Sequence, residues 1–171
     1  MPLPVAHALI GASIVAASRK GISSRKDWAA LLTGASIAVA PDLDLIFTWM
    51  LGFDLRTHAG FTHSILFAAL LGLLAAGLMR ETNFKGFLVY SMASLSHGLL
   101  DVATKREFGG AALLWPFSSK KFRLGVWEYF EFYPHPLVQP IGPILKRALE
   151  ICGYEMMIFM PVFILIVWWR R

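Results

Sequence analysis

Five apolar runs decide what this chain can fold into. They cover about 4–18, 28–40, 64–79, 86–100 and 151–169, with a shorter apolar patch at 45–53. Arg19-Lys20 closes the first run, Pro41 the second, Arg80-Glu81 the third and Trp168-Trp169-Arg170-Arg171 the fifth. Of 171 residues, 57% are hydrophobic and only 16% charged, with a mean hydropathy of +0.60, whereas soluble domains carry about 25% charged residues. The length suits one domain, 1–171. We therefore expect an all-α, polytopic membrane bundle of about 4–5 helices, with 151–171 as a C-terminal transmembrane helix.

The runs are short. A crossing needs ~20 residues, and the second run has 13. Pro41 disfavours the helical conformation in the residue before it. Run two must cross incompletely, continue past Pro41 as a kinked helix, or lean on its neighbours. Runs one and two echo each other, Gly11-Ala12-Ser13-Ile14 against Gly34-Ala35-Ser36-Ile37. Small residues so placed let helices approach closely in lipid. The N-terminus lacks the positive region of a signal peptide, so the first run is expected to be retained as a helix.

Ionisable residues gather at the run ends. Asp at mid-membrane costs roughly 2.5–3.5 kcal/mol, and such groups are usually functional. His97 and Asp101 are four apart, one helical turn, and project together. Asp42 and Asp44 follow Pro41, and His58 and His63 flank Gly60 ahead of run three. Alternating the runs across a bilayer puts His7, Asp42, Asp44, His58, His63, His97 and Asp101 on one side. The other side holds Arg19, Lys20, Arg25, Lys26, Arg80, Lys85, Arg170 and Arg171 in short segments. Basic density in short loops marks the cytoplasmic face, so the histidines and aspartates should face outward, at one membrane boundary.

Histidine and carboxylate together point to a divalent metal, zinc first, with Mn2+ or Fe2+ also suited. Cys152 is the one cysteine, which excludes a thiolate-rich zinc site and an intrachain disulfide. Seven candidate ligands exceed the three protein ligands of a mononuclear catalytic zinc, so one or two ions are expected, with two favoured. Asp42 and Asp44 point about 200° apart on a helix; one should ligate or bridge and the other orient a histidine or a water. Either would serve as the catalytic carboxylate. Thr62 is expected to cap the third helix, with Ser64 donating to an anion at that helix end. No serine lies in a nucleophile elbow.

Segment 102–150 is the sizeable extramembrane region. Its aromatics and basic residues, including Trp115 and the Lys120-Lys121-Phe122-Arg123 patch, fit a membrane interface. Pro134, Pro136, Pro140 and Pro143 should break any helix there, and His135 is expected to pack at the interface. The net charge of +5 is spread between apolar runs and suits lipid headgroups, so no nucleic-acid partner is expected.

The ordered set resembles the LexA-regulated, membrane-bound metal-dependent hydrolases of the YdjM type. The matching residues are His7, Pro41-Asp42-Leu43-Asp44, His58-Ala59-Gly60-Phe61-Thr62-His63-Ser64, His97-Gly98-Leu99-Leu100-Asp101, Thr104 and Leu114-Trp115-Pro116-Phe117-Ser118. Ala59 stands where the family usually has Arg, a role Arg56 is placed to replace. The family is in turn distantly similar to the zinc-dependent phospholipase C and single-strand nuclease group, which implies phosphoester hydrolysis.

These readings together lead to a multi-pass protein of a bacterial or archaeal inner membrane. The expected activity is metal-dependent hydrolysis of a lipid or other amphiphilic phosphoester. Arg56, Thr62, Ser64, Lys105, Arg106 and Trp115 are the expected substrate contacts. The alternatives are a divalent-metal transporter or sensor, and a structural membrane protein stapled by its metal.

Overall fold

The computed structural model describes residues 4–51, 58–105, 110–128 and 139–171, and its architecture is all-α. The helices are α1 (Pro4–Ser18), α2 (Arg25–Val39), α3 (Asp44–Leu51), α4 (Ile65–Leu78), α5 (Phe84–Ala103) and α6 (Ile141–Trp169). One 3-10 turn, Ala40–Leu43, joins α2 to α3, and another, Phe61–His63, leads into α4. Two-residue strands β1 (Thr104–Lys105) and β2 (Trp127–Glu128) pair in parallel beside the end of α5.

Local sequence accounts for three of the helix starts. Ser24 and Asp27 form a reciprocal capping box at α2. Asn83 caps α5 by accepting from the Gly86 amide at 2.8 Å. Ser64, rather than the expected Thr62, caps α4, accepting from the Phe67 amide at 3.1 Å. Thr62 sits inside the preceding 3-10 turn, and its hydroxyl is used elsewhere.

Two segments depart from the expected boundaries. α2 ends at Val39, but Pro41 does not interrupt the apolar stretch, because it lies at the start of a 3-10 turn, where no amide is required of it. α2, the turn and the beginning of α3 make a stretch, Arg25–Ile46, of 22 residues that is long and apolar enough to cross a membrane. α6 begins at Ile141, well before residue 151, and spans 29 residues, the second such stretch. Pro140 precedes its first residue and Pro143 lies in its first turn, where a missing amide costs nothing. Neither breaks the helix.

α1 and α5 form the middle of the bundle. α1 packs on α2, α5 and α6, while α5 packs on α4 and α2. The α1–α2 crossing depends on the echoed glycines. A Cβ on Gly11 would lie 2.5 Å from Gly34 O, and one on Gly34 would lie 2.5 Å from Val15 Cγ2. The core between helices is built largely of small residues, among them Ala16, Ala30, Ala75, Ala76 and Ala93 around Tyr90. Outward, α4 exposes Leu70, Leu73, Leu74 and Leu78, and α6 exposes Met157, Val162, Ile164 and Leu165. Contiguous apolar faces of this kind are rare on soluble monomers and mark membrane or partner contact.

The two ends of the bundle differ in chemistry. At one end Arg19 donates to Glu81 at 2.7 Å and pairs with Asp27 at 3.4 Å. Burial works against the Arg19 cation, but the Glu81 hydrogen bond and charge outweigh it, so its pKa lies above the ordinary arginine value. Lys85 Nζ donates to Ser18 O, and the Ile22 amide donates to Arg170 O. At the other end lie His7 near the start of α1, Asp42 after α2, His63 before α4, and His97 and Asp101 late in α5.

Candidate metal centre

Six side chains from four parts of the chain converge at this second end. Three sets have potential ligand atoms all within 4.8 Å of one another: His7, Asp42 and His97; Asp42, His58 and His63; and His63, His97 and Asp101. Asp42, His63 and His97 each belong to two sets. His97 Nε2 is 3.3 Å from Asp42 Oδ1 and 3.0 Å from His63 Nε2. His63 Nε2 is 3.4 Å from Asp101 Oδ2 and 3.8 Å from Asp42 Oδ1. His58 Nε2 is also 3.8 Å from Asp42 Oδ1. Zinc bonds of ~2.0–2.2 Å put tetrahedral ligands roughly 3.3–3.6 Å apart, and these separations fall on either side of that range.

Three of the four imidazoles, those of His58, His63 and His97, are held from outside through Nδ1. His97 Nδ1 lies 2.7 Å from Ala38 O, which can only accept, so this nitrogen carries the proton. Thr62 donates its hydroxyl to Asp44 Oδ2 at 2.7 Å. Its oxygen is thereby left to accept from His63 Nδ1 at 2.9 Å. His58 Nδ1 donates to Asp44 Oδ1 at 2.6 Å. All three Nε2 atoms of the neutral rings then present lone pairs inward. Two of those lone pairs, on His63 and His97, face each other at 3.0 Å. That contact is repulsive unless a cation sits between them.

Burial sharpens the requirement. Both Asp42 oxygens, both His7 nitrogens and His58 Nε2 are buried without a hydrogen bond among the described residues. No Lys or Arg pairs with Asp42 there; the groups nearest its oxygens are imidazoles. A buried carboxylate with no such partner is costly, and a divalent cation supplies the missing charge. His7 completes the wall by stacking on His97, with ring centroids 3.7 Å apart and planes 18° apart.

The backbone permits this gathering at one tight point. A Cβ on Gly98 would lie 2.8 Å from His63 O, so the residue after His97 must be glycine for the His63 turn to come this close to α5. Ala59, between His58 and Gly60, takes a left-handed φ of 61°. Its carbonyl accepts from the Ala112 amide at 3.0 Å.

The family described as YdjM inner membrane protein matches residues 1–171. The chain belongs to the YdjM family. A relative, Inner membrane protein YbcI of Escherichia coli (strain K12), is 29% identical over 180 residues, covering 100% of this chain and 99% of that one. No solved structure matches. Family membership and the two long apolar helices make this YdjM chain an inner membrane protein.

Other residues singled out in the sequence fall differently. Asp44 lies outside the three ligand sets and spends its oxygens on His58 and Thr62. Ser64 donates to Phe61 O and accepts from Phe67, so its hydroxyl serves the α4 cap. Trp115 packs on Phe61, with centroids 4.7 Å apart. Lys105 lies on β1. Arg56, Arg106 and His135 lie outside the described residues. Two groups were not read from the sequence as belonging near the site. Lys121 Nζ donates to His58 O at 2.6 Å, bringing a cation to the rim. Glu155, within run five, is wholly buried against the start of α1.

Proposed function

We propose that this YdjM-family protein is a metal-dependent hydrolase of the inner membrane, acting on a lipid or other amphiphilic phosphoester. The observation that carries the proposal is the inward set of Nε2 lone pairs, each fixed by a partner on Nδ1, around two acidic side chains. His7, Asp42, His58, His63, His97 and Asp101 would hold one or two divalent ions, zinc by the chemistry of the donor set. A bound divalent cation of this kind acidifies water towards pKa ~7 and polarises phosphoryl oxygens.

The chain's own groups do the rest. Asp42, central to two ligand sets, is the carboxylate placed to accept a proton from the attacking water. Asp44 holds His58 directly and His63 through Thr62, so the imidazoles keep the Nδ1–H tautomer. Lys121, at the rim beside His58, is positioned to attract a phosphate. An apolar groove of about 390 Å³ runs between α1 and α6, lined by Leu9, Ile10, Ser13, Ile14, Phe159 and Val162. It gives an alkyl chain a berth starting one turn from His7. The centre sits at one bundle end, and the basic residues at the other favour an outward-facing site in a multi-pass protein.

Metal analysis of the purified protein beside His97→Ala and Asp101→Ala tests this reading. The wild type should retain stoichiometric metal and both variants should lose it; equal metal in all three refutes it. Reconstituted into liposomes, the protein should release phosphate or headgroup from an amphiphilic phosphoester. Saturable zinc flux without hydrolysis would instead establish a transporter.

A further inference from the structure

Glu155 is a fully buried carboxylate inside the apolar part of α6. Its Oε2 accepts from the Ala6 amide at 2.9 Å, across 149 residues of sequence. An ionisable residue so placed in a membrane helix calls for a functional explanation with its partner named. The partner here is the first turn of α1. Helices leave their first amides without intrahelical acceptors, and α2, α4 and α5 solve this with Ser24, Ser64 and Asn83 from their own sequence. α1 has no such residue. It is preceded by Met1-Pro2-Leu3, with no Ser, Thr, Asp or Asn, and Pro4 as its first residue contributes no amide at all.

We propose that Glu155 is a positioning residue that caps α1 in place of a local N-cap and thereby holds His7 in the metal centre. The argument rests on the metal reading above and adds a residue to it. His7 follows Ala6 directly, and its ring nitrogens make no hydrogen bond among the described residues. Stacking on His97 is its one described side-chain tie, so its place is set by the backbone of that first turn. α6, which packs on α1, thus reaches the site without offering it a ligand.

The test uses the full-length protein in detergent, stripped of metal and titrated with Co2+ as a spectroscopic probe. Glu155→Ala should weaken Co2+ binding about tenfold or more, the range for groups that orient ligands, and should alter the Co2+ visible spectrum. Glu155→Gln keeps an acceptor for the amide and should stay within about threefold of wild type. Leu3→Asp, added to Glu155→Ala, should restore binding by supplying a local cap; it also serves if the single variant fails to fold. Hydrogen exchange at the Ala6 and His7 amides, read without metal, should quicken in Glu155→Ala alone. Wild-type affinity and spectrum in Glu155→Ala, or a Gln variant as weak as Ala, overturns the proposal. A wild type that binds no Co2+ refutes the metal reading instead, and unchanged exchange in Glu155→Ala then overturns the cap as well.

Discussion

Gly98 carries more of the site than its size suggests. Because a methyl group there would lie 2.8 Å from His63 O and 3.2 Å from Leu113 Cδ2, Gly98→Ala must move the His63 turn away from α5. Overpacking of this kind costs about 1–3 kcal/mol, and the displaced imidazole should lose the shared cation. Metal analysis with thermal unfolding checks both effects; a metal-replete Gly98→Ala would show that the turn yields without harm. Asp44→Asn probes the outer layer. An amide cannot accept from both His58 and Thr62 as the carboxylate does, so metal affinity should fall about 10–100-fold while helical content is unchanged by circular dichroism. The gathering of histidines and aspartates was legible at this scale because costly groups sat at the ends of apolar runs. The division of labour between Asp42 and Asp44 was not, since two-residue spacing says only that they diverge. It took the 3-10 turn after Pro41 to send one inward and the other towards His58 and Thr62.

At the scale of elements, caps decided more than hydropathy. The apolar counts located every long helix, but they left open how the chain passes Pro41 and set the last helix too late. In both places proline was the difficulty. Pro41 and Pro143 each occupy a first-turn position, where the ring fits and no amide is missed. Ser64 illustrates the opposite problem, a polar residue beside a catalytic-looking histidine that turns out to serve the helix. Ser64→Ala should cost about 1 kcal/mol of stability, the usual value of an N-cap, with metal content retained. Chemical denaturation in detergent beside metal analysis would check this, and loss of metal would return Ser64 to the site. Glu155 was illegible for a related reason. Nothing in the run around it reveals that a helix 149 residues earlier lacks a cap.

Across the whole molecule, the two ends are held by unlike forces, and this makes the metal's contribution separable. The Arg19–Glu81–Asp27 cluster closes one end with permanent charges. The other end gathers α1, the turn after α2, the turn before α4 and α5 around histidines whose lone pairs need a cation. A ligand that binds only the folded state stabilises it by RT ln(1 + [L]/Kd), about 2.7 kcal/mol at a hundredfold excess over Kd. Chelation should therefore lower the unfolding temperature of the wild type and leave that of His97→Ala unmoved. Acid should act in the same direction. Protons compete for the same Nε2 atoms, so metal affinity should fall as the solution is acidified. The metal-dependent part of stability is then present at the alkaline end and lost towards acid. Unfolding temperatures measured with and without chelator from about pH 8 to pH 5 should converge on the acid side. A constant gap across that interval would mean that the ion is held by carboxylates alone, and that the imidazoles are not its ligands.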